Sequence, residues 1–179
     1  MTPMERYMKS SFPLFLAVTA ASVLLACGYH VAKRSAAIPA WMTNVYIEPF
    51  ENNSNELMLG AWITDALRQE FLRSSRFVLT TRDRAHVIIK GRVEEVKSKG
   101  LSYVRYDLAV ERRVRVKISF DLVDAATGQS IWGGGILERE EAFLVGKDVM
   151  KTQGLMNEAL RKLSEDLSEI LYHRVEGVY

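Results

Sequence analysis

The sequence contains one cysteine, Cys27, so no disulfide can form within the chain. Its three histidines, His30, His86 and His173, are scattered and show no ligand spacing such as His-x-x-x-His. The glycine run Gly133-Gly134-Gly135 lacks the Lys-Ser/Thr that completes a phosphate-binding loop. No serine lies in a Gly-x-Ser-x-Gly turn. We therefore predict a protein that is not an enzyme and uses no metal or nucleotide cofactor.

Adjacent carboxylates do not change this prediction. Glu94-Glu95 and Glu140-Glu141 are each expected on a strand, where neighbouring side chains point to opposite faces. Two such carboxylates could not act on one substrate atom. Large net charge is also missing: 24 Lys and Arg residues nearly balance 22 Asp and Glu residues, giving +2. This balance argues against a general nucleic-acid-binding protein.

The only long apolar run, Phe12 to Leu25, is shorter than the ~20 residues that a membrane-spanning helix needs. It follows Arg6 and Lys9, the charged start that is typical of a secretory signal peptide. Leu24-Leu25-Ala26-Cys27 resembles the lipobox of bacterial lipoproteins, in which the cysteine thiol is alkylated by lipid. An ordinary signal peptide with a chance cysteine is the alternative. We predict a leader over residues 1–26, a lipidated tether over 27–40 and one domain over 41–179.

Hydrophobic periodicity within that domain predicts the order strand, helix, three strands in a meander, helix. Val45–Phe50 is typical of a first strand, and Asn53 with Glu56 suggests a capping box for a helix over about Leu57–Arg73. A second strand is expected from His86 to about Lys97, and a terminal helix from about Val149 to His173. The fold class is thus α+β: a two-layer sandwich with a mainly antiparallel four-stranded sheet and both helices on one face.

The third strand has the clearest pattern. Leu108, Val110, Val114, Val116, Ile118, Phe120 and Leu122 all occupy even positions, which predicts one buried face. Asp124–Gly128 forms a turn, and the returning strand is expected over about Gln129–Val145 with a bulge or close approach at Gly133–Gly135.

The odd positions of the third strand carry a basic set that should lie on the open face of the sheet. If the two strands pair, residues of the preceding strand join it. The candidate anion-binding residues are Lys90, Arg92, Arg113, Arg115 and Lys117. A solvated face with edge-protecting charges is the alternative interpretation.

Several motifs together resemble one family. Cys27-Gly28-Tyr29-His30, Ile47-Glu48-Pro49-Phe50 with Asn53, and Asp124-x-x-Thr127-Gly128-x-x-Ile131-Trp132 are similar to the LptE family of lipopolysaccharide-assembly lipoproteins. Thr64, Leu67, Glu70 and Phe71 resemble its first helix, and Ile89-Lys90-Gly91 its second strand. The resemblance covers essentially the whole chain after the leader. The segment Arg82–His86 departs from it locally.

The resemblance implies a lipoprotein of the outer membrane that faces the periplasm, held in the membrane through lipidated Cys27. It implies a plug and assembly partner for the large β-barrel LptD that also binds lipopolysaccharide, with no nucleic acid and no cofactor. Val45–Phe50 and the following helix also resemble TolB-like and curli-secretion lipoproteins, which would make the chain a subunit of a secretion channel or scaffold. Copurification with one large barrel would favour LptE, and self-assembly into a ring the alternative.

Overall fold

A computed structural model describes residues 42–105 and 108–177. The predicted leader (1–26), tether (27–40) and Cys27 lie outside the described residues, so the predictions made for them stay predictions. The elements in chain order are strands β1 (Asn44–Ile47) and β2 (Glu51–Asn52), helix α1 (Leu59–Arg73), strand β3 (Val78–Leu79), a 3-10 turn (Arg82–Arg84), strands β4 (Val87–Arg105), β5 (Leu108–Asp124) and β6 (Ser130–Leu144), and helix α2 (Val149–Glu176).

The sheet is mixed. Its main order is β3-β1-β4-β5-β6, and β2 pairs with β4 beyond the end of β1. The pairs β1–β3, β1–β4 and β2–β4 are parallel, whereas β4–β5 and β5–β6 are antiparallel. The α+β class and the meander are confirmed, but the sheet has six strands in the described residues rather than the predicted four. Strands β2 and β3 are two residues long, too short to produce a detectable alternation.

The core lies between the sheet and the two helices. The even positions of β5 from Val114 to Leu122 are fully buried, or within 1 % of it, and belong to the same core cluster as Leu67 of α1 and Leu163 of α2. Burying these apolar side chains is the main favourable term in folding. The prediction that Val110 shares this buried face is wrong, because 37 % of its surface remains exposed. It lies near the end of β5 that pairs with Val145, beyond the buried stripe of α2, which begins at Ala159.

Two glycines make room for core aromatics. Phe120 on β5 is opposite Gly91 on β4 and Gly135 on β6. A Cβ at Gly135 would overlap the ring of Phe120, and one at Gly91 would overlap the ring of Phe50. The predicted close approach at Gly135 is therefore confirmed, and a register shift beside it places Leu122 opposite Trp132, which confirms the bulge.

A second bulge, which the sequence pattern did not predict, lies in β4. The register shifts between Val93 and Glu95. Consequently Glu94 accepts a hydrogen bond from Ser119 on the open face, while Glu95 pairs with Lys97, also on that face. The prediction that these two carboxylates face opposite sides is wrong, because the extra residue of a bulge interrupts the alternation. Glu140 and Glu141 do face opposite sides, the latter reaching Lys162 on α2.

Several predicted boundaries also change. Strand β4 continues past Lys97 to Arg105, and α2 continues past His173 to Glu176. Helix α1 begins at Leu59 without the predicted capping box: its N-cap, Met58, makes no side-chain bond. Asn52 organises the turn instead, donating to the Glu56 carbonyl at 2.8 Å. A side-chain cap does form on α2, where Asp148 accepts from the Lys151 amide at 2.7 Å.

The two helices are joined at their carboxyl ends. Tyr172 of α2 packs edge-on against Phe71 of α1, with ring centroids 5.1 Å apart, and against Phe77. The Arg76 guanidinium donates to the carbonyl of Glu176 at 3.0 Å. The last turn of α2 is thereby tied to the segment between α1 and β3.

Candidate functional site

The face of β4, β5 and β6 that carries no helix is the candidate site. Arg113, Arg115 and Lys117 occupy successive outward positions of β5, so their backbone positions are ~6.6–6.8 Å apart. Arg113 and Arg115 are 47 % and 45 % exposed. The predicted row of cations on the open face is therefore present in the fold.

The register of β4 adds two cations that the sequence analysis missed. Lys99 is opposite Arg113, and Lys97 is opposite Arg115. These four side chains, with Gly100, Leu101 and Glu140, line a depression of about 170 Å³. We call the four basic residues the cationic cluster. The sequence contains the local alternation Val96-Lys97-Ser98-Lys99, but this is out of phase with buried Ile89 and Val93, so the place of both lysines on the open face depends on the bulge.

Glu140 is the carboxylate inside this cluster. It accepts hydrogen bonds from Arg113 at 3.1 Å and from Arg115 at 2.5 Å, and Arg115 also pairs with Glu138 at 3.2 Å. The hydrogen bond from Arg115 holds the pKa of the Glu140 carboxyl below its usual range, assisted by the charges of both arginines. Glu140 therefore fixes the two guanidinium groups side by side while it neutralises part of their charge.

Lys117 lies at the border between cationic and mixed charge. It is opposite Glu95 on β4 and Glu138 on β6. The pKa of Glu95 is lowered, first by its hydrogen bond with Lys97 and then by the nearby charges of Lys97, Lys117 and Arg115. The excess of positive charge is thus concentrated toward Arg113 and Lys99.

Lys90 and Arg92 lie farther along the same face. They are opposite Asp121 and Ser119, so they continue the row beyond Lys117 and do not flank Arg113. Arg92 is paired with Glu51 of β2 at 2.6 Å. The five predicted residues therefore share one face, but the fold brings Lys97 and Lys99 closer to the arginines than Lys90 and Arg92.

Another depression, of about 370 Å³, lies at the carboxyl ends of β1 and β3. Its two arginines are already engaged: Arg68 donates to the Ile47 carbonyl at 3.3 Å, and Arg82 pairs with Glu48 at 2.6 Å. Both depressions contain cations, but the one beside Arg113 has four basic side chains converging on it. We therefore place the candidate anion site there.

Residues 42–105 and 108–177 contain no constellation for metal chemistry. No three His, Cys, Asp or Glu side chains there are grouped so that they could hold a metal ion. His86 accepts from the Asn44 amide at 3.4 Å beside β1, whereas His173 lies between Glu169 and Glu176 on α2. None of the helices described has the length and apolar character needed to cross a membrane.

Comparison with known proteins gives one match at the level of families. A family model described as "LptE: Lipopolysaccharide-assembly" matches residues 42–175. A search of curated protein sequences found no match.

Solved structures share the fold at low sequence identity. Lipoprotein B from Nitrosomonas europaea has a TM-score of 0.50 at 15% identity, covering 80% of this chain and 87% of that one. Rare lipoprotein B from Shewanella oneidensis has a TM-score of 0.51 at 10% identity, covering 74% and 93%. A candidate lipoprotein from Caulobacter crescentus has a TM-score of 0.53 at 11% identity, covering 73% and 86%.

Proposed function

Because this chain belongs to the LptE lipopolysaccharide-assembly family, we propose that it binds lipopolysaccharide through the cationic cluster on its open sheet face. Lipopolysaccharide carries phosphates and acidic sugars next to its acyl chains. A guanidinium can bind a phosphate through two hydrogen bonds, and lysine supplies a mobile point charge. The observation that carries the proposal is the convergence of Lys97, Lys99, Arg113 and Arg115 on one depression.

Some cations of the cluster are held by a carboxylate and another is exposed to solvent, an arrangement that suits reversible binding of an anion. Arg113 and Arg115 are oriented by Glu140, whereas Lys99 is exposed opposite Arg113. Exposed ion pairs each contribute little to stability because water screens the charges, so an incoming phosphate can exchange with Glu140 at small cost. Several charges must act together to give useful affinity. Lys117, Arg92 and Lys90 would extend the contact along the strand toward the acidic sugars.

A binding titration with purified lipopolysaccharide tests this site. Replacing Arg113, Arg115 and Lys117 together by Ser should weaken binding, and wild-type binding should weaken as salt rises because screening shortens the reach of surface charges. The matched control replaces Arg73, Arg84 and Lys162 by Ser. Each of these cations is exposed and paired with a carboxylate, as Arg113 and Arg115 are, but all three lie outside the open face. Equal affinity of both triple variants at low salt would refute the site.

We further propose that the chain is anchored in the outer membrane through lipidated Cys27, faces the periplasm, and serves as plug and assembly partner of the LptD β-barrel. The family membership supports a role in lipopolysaccharide assembly, and the lipobox supports the anchor. Affinity purification of the tagged full chain from solubilised envelopes is the test. Recovery of one large β-barrel protein at a fixed ratio is expected. Recovery of a ring of identical chains without a barrel would support the scaffold alternative.

A further inference from the structure

Arg112 interrupts the apolar positions of β5. The even positions from Val114 to Leu122 are buried in the core, and Arg112 occupies the even position before them. Its partners across the sheet are Gly100 on β4 and Phe143 on β6, and Phe143 is buried. The side chain of Arg112 is therefore on the helix side of the sheet, away from the cationic cluster on the open face.

Part of this side chain is covered without a hydrogen bond. The Nε atom of Arg112 is buried and has no hydrogen-bond partner among residues 42–105 and 108–177, and the same is true of the Ser98 hydroxyl. Ser98 is opposite Val114, which lies two residues from Arg112, so the two groups are diagonal neighbours on adjacent strands. Buried polar groups nearly always have a partner, because an unpaired one has lost its bonds to water. Two such groups together indicate a site that another molecule completes.

The acidic side chain of β6 on this side of the sheet does not neutralise Arg112. Glu141 is also opposite Val114, but its carboxylate pairs with Lys162 of α2 at 2.6 Å. None of the ion pairs formed within the described part of the chain includes Arg112. The positive charge at this position is therefore left uncompensated by the fold.

The site lies at the limit of the helix layer. Val114 is fully buried, Arg112 is half-buried and Val110 is 37 % exposed, and the buried stripe of α2 begins only at Ala159. Of the guanidinium nitrogens, only Nε is both buried and unpartnered. Because the residue is only half-buried, a partner can contact the guanidinium without opening the core.

The chemistry of the site fits a carboxylate. A guanidinium presents its N–H groups as a rigid fork that matches the two oxygens of a carboxylate, and a serine hydroxyl can donate a further hydrogen bond. A single cation opposite the buried ring of Phe143 suits a single negative charge. A lipopolysaccharide phosphate would need several cations, but Lys99 and Arg113, which flank this site along the two strands, line the depression on the other face.

We infer that Arg112 and Ser98 receive the carboxylate of an Asp or Glu side chain from the inner wall of the β-barrel that encloses the domain. The inference rests on the proposed function, because it takes the barrel as the partner, and it adds the chemistry by which one point of the wall is recognised. The lumen of outer-membrane barrels is lined by polar side chains, so it can supply such a group. A cation without a partner in the free chain gains one only on assembly, which favours insertion of the folded domain.

The test compares the stability of the free chain with its association with the barrel. Arg112→Met keeps the length of the side chain and removes its charge. In the full chain purified without the barrel, the melting temperature should be unchanged or higher, because the substitution removes the desolvation cost of an unpaired cation. In solubilised envelopes, recovery of the barrel with the tagged full chain should fall at least roughly tenfold, as expected when one member of a hydrogen-bonded charge pair is lost.

Arg139→Met is the matched control. Arg139 is opposite Val116, on the same side of the sheet, but it is exposed and donates to the Glu138 carbonyl at 2.9 Å. This substitution should leave barrel recovery unchanged. Arg112→Lys retains the charge without the fork, so it should recover more barrel than Arg112→Met.

The outcomes separate this inference from the proposed function. A lower melting temperature or a failure to fold for both Arg112 variants would assign a structural role and overturn the inference, as would barrel recovery by Arg112→Met equal to that of wild type. Loss of lipopolysaccharide affinity with normal barrel recovery would identify a lipid phosphate as the ligand and also overturn it. If wild type itself recovers no barrel, the proposed partner is refuted together with the inference, whereas equal recovery by wild type and Arg112→Met refutes the inference alone.

Discussion

The ring of Phe120 on β5 covers Gly135, the residue directly opposite it on β6. The ring cannot move aside easily because Phe120 is 1 % exposed and packs against Trp132, with the two ring centroids 5.2 Å apart. Gly135→Ala would force a methyl group into that ring. We expect a loss of about 1–3 kcal/mol in the free energy of unfolding, the usual cost of overpacking a core.

Gly154→Ala is the matched control for this prediction. Gly154 lies within α2. Apart from its chain neighbours and the adjacent helix backbone, no heavy atom lies within 4 Å of the position that a Cβ would take, so the added methyl group meets open space. Alanine should stabilise the helix by roughly 0.5–1 kcal/mol relative to glycine. Denaturant unfolding of both variants measures the difference. A stable Gly135→Ala variant would show that the ring of Phe120 lies elsewhere.

In the proposed site, Glu140 would compete with the phosphate of the ligand for Arg113 and Arg115. Glu140→Gln removes that negative charge and should tighten lipopolysaccharide binding, whereas loss of a structural residue would weaken it. Glu141→Gln is the control, because Glu141 pairs with Lys162 on the helix side at 2.6 Å. A titration that finds both variants equal to wild type would argue that the ligand does not reach the two arginines.

Asp124 stabilises the β5–β6 turn by accepting the amides of Ala126 at 2.9 Å and Thr127 at 2.8 Å. The bonds from Thr127 lower the pKa of the Asp124 carboxyl, with a smaller contribution from Ala126. A lowered folded-state pKa means that the carboxylate stabilises the fold above its unfolded pKa of about 3.9 and loses this effect as pH falls through the folded value. Melting temperatures of wild type and Asp124→Asn should therefore differ at neutral pH and converge in acid. Parallel curves down to acid would contradict this role.

The proposed acylation of Cys27 predicts a specific processing defect. One acyl chain gives only marginal membrane binding, so stable anchoring requires more than one. Cys27→Ala should leave the leader uncleaved or wrongly cleaved, as measured by the mass of the envelope-associated protein. Normal cleavage and membrane retention in this variant would refute the lipobox interpretation.

The sequence predicted best where the pattern was long and one face was buried. Alternation over β5 identified Val116, Ile118 and Phe120 as core residues, and all three are fully buried or 1 % exposed. Helical periodicity was equally informative: both predicted helices form, and Ile63, Leu67, Leu163 and Leu167 are buried on them at helical spacing. Such patterns depend only on local periodicity, which a single sequence contains.

Pairing between strands could not be read from periodicity. The register of β4 against β5 places Lys90 and Arg92 opposite Asp121 and Ser119. The bulge at Glu94 then brings Lys97 and Lys99 to the open face, opposite Arg115 and Arg113. The short strands β2 and β3 form because β1 and β4 offer partners, so their cause lies outside their own residues. The sequence predicted that basic side chains line the candidate site. Which of them lie next to one another is decided by the pairing of the strands.

The position of β1 between β3 and β4 has a consequence for the order of assembly. Both neighbours of β1 are synthesised after it, so the first strand has no partner until the chain has reached β3 and β4. The meander of β4, β5 and β6 pairs neighbours in sequence and can form without β1, whereas the bond from Arg76 to Glu176 requires nearly the whole chain. Contacts between distant residues form slowly because closing long loops costs entropy. We therefore expect the sheet to be completed from its carboxyl-terminal half, with the strand nearest Cys27 incorporated last.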